Sequence, residues 1–137
     1  MPYISIWIHL IWTTKNRQPY LQKNIRSKVF HHIRGNALAK GINLIFINGV
    51  ENHAHSLILL KVNQNIADVA KLLKGESSHW INKHKLIKYN FDWQDDYIAI
   101  SINKAQVKRV IEYIKHQEIH HQKESLSEEC QKFSDKN

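Results

Sequence analysis

Cysteine is almost missing from this sequence: Cys130 is the only one in 137 residues. No intramolecular disulfide can form, and a reducing, cytoplasmic setting fits. Acid is missing from the first fifty residues, where Lys15, Arg17, Lys23, Arg26, Lys28, Arg34 and Lys40 stand uncompensated until Glu51. Long apolar runs are missing as well. The segment IWIHLIW is far too short to cross a bilayer, contains His9, and carries neither a basic leader nor a small-residue cleavage site, so it reads as a strand. There is no P-loop, dinucleotide fingerprint, nucleophile elbow, repeat or low-complexity tract.

What is present fits one domain. An apolar content of 42% over this length can bury a single core. The formal net charge of +8 and its acid-free block suit a polyanion, nucleic acid rather than membrane, because no amphipathic basic helix accompanies a lipid anchor. Charge alone divides evenly between that reading and a merely soluble basic surface.

Residues 3–14, YISIWIHLIWTT, are aromatic and β-branched, and predict a long first strand broken by KNRQP. Ile25, Val29, Ile33 and Ala37 step by four through 22–40, with Gly41 at the helix stop. Two strands follow at 42–50 and 55–62, joined by a hairpin over Gly49–Asn52. A second helix covers 65–84, a short strand 97–102, and a third helix about 105–121. The order β-α-β-β-α-β-α predicts an α+β, ferredoxin-like (RRM-like) fold: a four-stranded antiparallel sheet with helices packed on it and an appended C-terminal helix. Residues 1–122 form the domain, and 123–137 a polar tail, loosely helical or disordered.

His53 and His55 project from one face of a strand roughly 7 Å apart along the backbone, close enough to share a metal ion. Ten histidines in the chain make one such pair unsurprising, so ordinary hairpin histidines explain it equally well. On the third helix Tyr113 and Gln117 are four apart, on the flank of the Val107, Val110, Ile114 stripe, at the rim of the buried face. There a tyrosine can meet surface histidines, or simply pack its ring. His116 and His120 are also four apart but enclose no carboxylate, and read as exposed; His31, His32 and His79 read as surface or DNA-backbone contacts.

The pair His53-Ala54-His55 followed by Tyr113-Ile114-Lys115-His116-Gln117 resembles the single-tyrosine HUH transposases of small bacterial insertion sequences and their REP-associated relatives. The resemblance extends over HLIWTTKNRQPYL, LLKGESSHWIN and WQDDY, so it spans nearly the whole chain. It departs at Ala54, where a larger hydrophobe is usual, at Ser56, where leucine is common, and at Asp96, where glycine is expected. The resemblance implies a transposase that cleaves and rejoins single-stranded DNA through a 5′-phosphotyrosine on Tyr113. It also implies a divalent metal, Mg²⁺ or Mn²⁺, held by His53, His55 and Gln117; Zn²⁺ is not excluded by ligand type. It further implies recognition of DNA hairpins, and a homodimer in which the helix tyrosine serves the partner's histidines. Lys15, Arg17, Lys23, Arg26 and Lys28 are the expected DNA contacts. Two alternatives remain at this level: a non-catalytic nucleic-acid-binding domain of the same fold, and a nicking enzyme for replication or plasmid transfer, which the short length disfavours.

Overall fold

A computed structural model describes residues 2–117. Its elements run β1 (Ile6–Thr13), α1 (Lys23–Ala39), β2 (Asn43–Val50), β3 (His53–Leu60), α2 (Ile66–Lys83), β4 (Ile98–Ile102) and α3 (Val107–Lys115), with 3-10 turns at Lys15–Arg17 and Lys104–Gln106. The four strands form one antiparallel sheet in the order β2-β3-β1-β4, which is the split βαβ topology expected from the element order.

Alternation sorts the strand side chains onto two faces. Leu10, Trp12, Ala54 and Ile58 point to the face covered by α1 and α2, where Val29, Phe30, Ile33, Val69, Leu73 and Ile81 complete the larger core. Leu57 and Ile102 point to the other face, where Val110, Tyr113 and Ile114 of α3 close a smaller cluster. That second face also carries His9, Ile11 and Thr13 of β1, because each is in register with a same-face neighbour on β3: Leu57, His55 and His53.

The segment after α2 is anchored rather than loose. Asn82 brackets Phe91, accepting from its N–H at 2.8 Å and donating to its carbonyl at 2.9 Å. Trp93 Nε1 donates to Ser77 Oγ at 2.8 Å, and the Trp93 ring meets Trp12 and Phe91 edge-on. Lys74 donates to the carbonyls of Asp95 and Asp96 at 2.8 and 3.2 Å. Burial lowers the Lys74 ammonium below the usual lysine range, against the pull of Asp95, Asp92 and Asp96.

Several expectations shift. β3 begins at His53, so both histidines lie inside the strand, and the turn is only Glu51–Asn52. α3 ends at Lys115 with His116 in a turn, and its expected continuation with His120, together with the 123–137 tail and Cys130, lies outside the described residues. His32 is not a surface contact: it pairs with Glu76 at 2.7 Å and stacks on Trp80 at 3.9 Å between ring centroids, tying α1 to α2. No described helix is long and apolar enough to cross a membrane.

Candidate active site

The two strand histidines sit in the sheet because their neighbours leave room for them. Gly49 lies opposite Ala54, and a β-carbon added at Gly49 would come within 2.2 Å of the His53 carbonyl, so β2 and β3 close tightly only with glycine there. Ala54 is fully buried against the larger core, and the neighbouring Ser56 donates its hydroxyl to the Leu10 carbonyl at 3.0 Å. Both departures from the family pattern are thus absorbed by packing.

On the opposite face His53 and His55 stand with ring centroids 5.1 Å apart. They are 1% and 0% exposed, not surface histidines. Tyr113 and Gln117 are likewise buried rather than at a rim, at 7% and 0% exposure. The wheel located their side of α3 correctly, but the face formed by β2 and β3 reaches beyond the apolar stripe and covers its flank. The Tyr113 ring lies edge-on to His55 of the same chain, 6.0 Å between centroids, with its hydroxyl buried. The amide of Gln117 folds back towards the Tyr113 carbonyl, with a long 3.5 Å contact.

Hydrogen bonds orient the imidazoles. His53 Nδ1 lies 2.8 Å from Asn52 Oδ1, to which it donates; in the neutral ring Nε2 then carries the lone pair. His55 Nδ1 lies 2.9 Å from Nε2 of His9, a fully buried β1 residue. If His55 donates, its Nε2 also carries a lone pair. Gln117 Oε1 is a buried acceptor with no hydrogen-bond partner among the described residues. Two imidazole nitrogens and an amide oxygen form a donor set that fits a Mn²⁺ or Mg²⁺ ion with positions left for other oxygens. Among the described residues no group of three His, Cys, Asp or Glu side chains is arranged to hold a metal, so a third protein donor beside the two histidines would be the amide of Gln117.

Asn48 holds α3 over this site. Its side chain donates to the carbonyls of Ile114 at 3.0 Å and Lys115 at 3.2 Å, meeting the helix end where carbonyls lack helical partners. Neither His9 nor Asn48 was identifiable from motif spacing; their roles come from strand register and from how α3 crosses β2.

The cationic block divides. Lys23 and Arg26 enter a groove of about 680 Å³ between α1, β2 and the end of α3, joined there by Arg34, His31, Lys115 and His116. Lys15 and Arg17 lie in the 3-10 turn after β1, and Arg17 borders a different cavity. Lys28 is exposed on α1 and lines neither. Arg26 also lies 4.0 Å from Glu51, so the first acid of the sequence folds back onto the block.

Residues 3–117 match the family model described as Transposase IS200 like. Over 113 residues, 76% of this chain and 80% of the relative, the sequence is 28% identical to the ISDra2 transposase TnpA of Deinococcus radiodurans. In structure the chain is similar to a candidate transposase from Deinococcus radiodurans R1, with TM-score 0.68 and 23% identity, covering 85% of this chain and 95% of that one. It is also similar to a REP-associated tyrosine transposase bound to a REP hairpin, with TM-score 0.63 and 17% identity, covering 88% and 72% of the two chains. At those identities the structural likenesses carry the fold.

Proposed function

Because the chain belongs to the IS200-like transposase family, we propose that it cleaves and rejoins single-stranded DNA through a covalent link to Tyr113. The observation that carries this reading is a buried tyrosine edge-on to a buried histidine pair, with the buried Gln117 one helical turn beyond the tyrosine. The Tyr113 oxygen attacks the scissile phosphorus, the bond to the 3′ oxygen breaks, and that oxygen leaves as a 3′-hydroxyl. The product is a 5′-phosphotyrosine, in which one phosphodiester replaces another, so rejoining needs no ATP. A phenol ionises near pH 10 and is a weak nucleophile while protonated, so the site has to favour its deprotonation and hold the phosphate in line.

His53 Nε2, His55 Nε2 and Gln117 Oε1 would hold Mg²⁺ or Mn²⁺. Bound there, the ion would draw charge from the scissile phosphate and offset the negative charge that develops on it. The chain's own part is to fix these donors: Asn52 orients His53, His9 orients His55, and Asn48 keeps Tyr113 and Gln117 over them.

The substrate reading adds two elements. The groove of Lys23, Arg26, Arg34 and Lys115 suits a DNA backbone, and hairpin ends fit a family whose REP-associated member was solved with a REP hairpin. Two cleaved ends must be held together, which calls for a homodimer. The non-catalytic alternative has less support, because α3 lies over sheet surface that such modules use for stacking bases.

The test incubates the protein with single-stranded DNA from the flanks of its own gene and Mn²⁺, then resolves protein under denaturing conditions. We expect a DNA-linked band that Tyr113→Phe abolishes while DNA and Mn²⁺ binding persist. Wild-type cleavage by that variant would remove both the nucleophile and the mechanism.

A further inference from the structure

Beside the two histidines, on the same face of the sheet, lies a second cavity of about 510 Å³. Its floor is Ile11, Thr13 and Ile98. Register ties it to the site: Thr13 is opposite His53, and Ile11 lies between His55 on one side and Ile98 on the other. The floor thus begins one strand spacing, about 4.8 Å, from the histidines.

The walls combine large apolar side chains with charged ones of both signs. Tyr97 and Ile98, 36% and 37% exposed, are large apolar side chains left open to solvent at the cavity mouth. Arg17 brings a fork of donors, and Asp96 an exposed carboxylate. Gln94 accepts the Asn16 N–H through Oε1 at 2.9 Å, so its remaining amide group can only donate.

This wall is built rather than incidental. Asn16 and Arg17 both have left-handed backbone, φ 56° and 55°, a conformation that side-chain-bearing residues adopt rarely. The turn is held there from both sides, by Lys15 N–H to the Asp92 carbonyl at 3.1 Å and Gln94 N–H to the Thr13 carbonyl at 2.9 Å. On the far side Lys74 fixes the 95–96 backbone, and its ammonium lies 6.0 Å from the Tyr97 ring.

We propose that this cavity binds one unpaired guanine of the DNA strand next to the cleaved phosphate, with Asp96 and Arg17 as its specificity-determining residues. The proposal rests on the DNA-cleaving reading above. Guanine is the base whose Watson–Crick edge offers two adjacent N–H donors, N1 and N2, matching the two oxygens of a carboxylate. Its O6 and N7 are the acceptor pair that an arginine fork grips. Its ring has an aromatic and an isoleucine to lie against, and base stacking of this kind is how proteins hold splayed single strands. Asp96, the acid at a position where the family pattern expects glycine, would otherwise only repel the backbone. A base-reading role gives that negative charge a use.

The test needs no knowledge of the target site. Labelled 11-mers of thymidine, with the central residue T, G, A, C, inosine or 7-deazaguanine, are titrated with the full chain in EDTA, so that binding is read without cleavage. We expect the single guanine to tighten binding about tenfold or more over T11. Inosine, lacking the N2 amine, and 7-deazaguanine, lacking N7, should each lose most of that gain. Asp96→Asn keeps the shape of the side chain and should abolish the preference without weakening T11; Arg17→Met should abolish it while lowering T11 binding only slightly. Binding of all six oligonucleotides within twofold, or a guanine preference unchanged in Asp96→Asn, overturns the pocket and leaves the DNA-cleaving reading standing. Failure to bind any of them at low salt overturns both.

Discussion

At the scale of single residues, the His9 contact bears on which nitrogen of His55 keeps a lone pair: Nε2 does so when Nδ1 donates to His9. A ligand imidazole needs its outer nitrogen unprotonated, and the hydrogen bond at the other nitrogen sets that. His9 is fully buried in β1 with Nε2 2.9 Å from His55 Nδ1, so it can accept the His55 proton and turn the lone pair of Nε2 outward. Replacing His9 with Phe keeps an aromatic ring in the sheet but removes that acceptor. We expect Mn²⁺ affinity to fall about 10- to 100-fold by calorimetry, with partial recovery in His9→Gln, whose amide oxygen can still accept. Unchanged Mn²⁺ affinity in His9→Phe would limit His9 to packing. Gly49 acts through shape instead. A methyl group there would meet the His53 carbonyl at 2.2 Å and the Ala54 Cα at 2.9 Å, both backbone. Gly49→Ala should therefore cost about 3 kcal/mol in urea unfolding and displace His53 along with the hairpin.

Among the elements, α3 is the shortest of the three helices and the one that carries Tyr113. It is nine residues long, too short to be stable by itself, and is held by its apolar stripe and by Asn48 at its C-terminal carbonyls. Asn48→Ala should lower stability by only about 1–2 kcal/mol. Covalent adduct should fall more than DNA binding, because Tyr113 and Gln117 ride on the loosened end, whereas Lys23, Arg26 and Arg34 of the basic groove stand on α1. A parallel loss of both activities would mean that Asn48 serves the whole fold. The same element shows how far the sequence could be read. Strand and helix periodicity located the four strands, α1, α2 and the start of α3 to within a few residues, and the i, i+4 relation of Tyr113 and Gln117 put them on the correct side of α3. It misjudged their depth, since burial depends on how wide a sheet face lies opposite, and a helical wheel contains no information about that. His9 was hidden for a similar reason: forty-six residues separate it from His55, and only the register of β1 on β3 joins them. The cationic groove was half visible, as Lys23 and Arg26, while Lys115 and His116 reach it only because α3 returns across β2.

For the whole molecule, charge and stoichiometry set the remaining expectations. Arg34 of α1 and Lys115 at the end of α3 face one groove with Lys23 and Arg26. Displacing counterions from a single strand should make log affinity fall with log salt by about 0.7 for each phosphate neutralised. Arg34→Ala should reduce that slope by about one such step and leave the guanine preference intact, since Arg34 lies outside the second cavity. An unchanged slope would remove Arg34 from the DNA path. Assembly follows from the count of nucleophiles. Tyr113 is the one tyrosine beside the histidine pair among the described residues, and one tyrosine can hold one 5′ end at a time. Moving a DNA segment leaves two cut ends that must be kept together, so the active particle should contain two chains. In the described chain Tyr113 rests against its own His55, so we expect tyrosine and histidines of one chain to act together, where the family resemblance implies that the tyrosine serves the partner's histidines. Light scattering should therefore give twice the chain mass. Mixing Tyr113→Phe chains with His53→Ala, His55→Ala chains should yield no covalent adduct, because neither chain then holds both halves of the chemistry. Adduct recovered in the mixture would show that α3 crosses between chains and docks on the partner's sheet. A single-chain mass that stays active at high dilution would rule out the dimer itself.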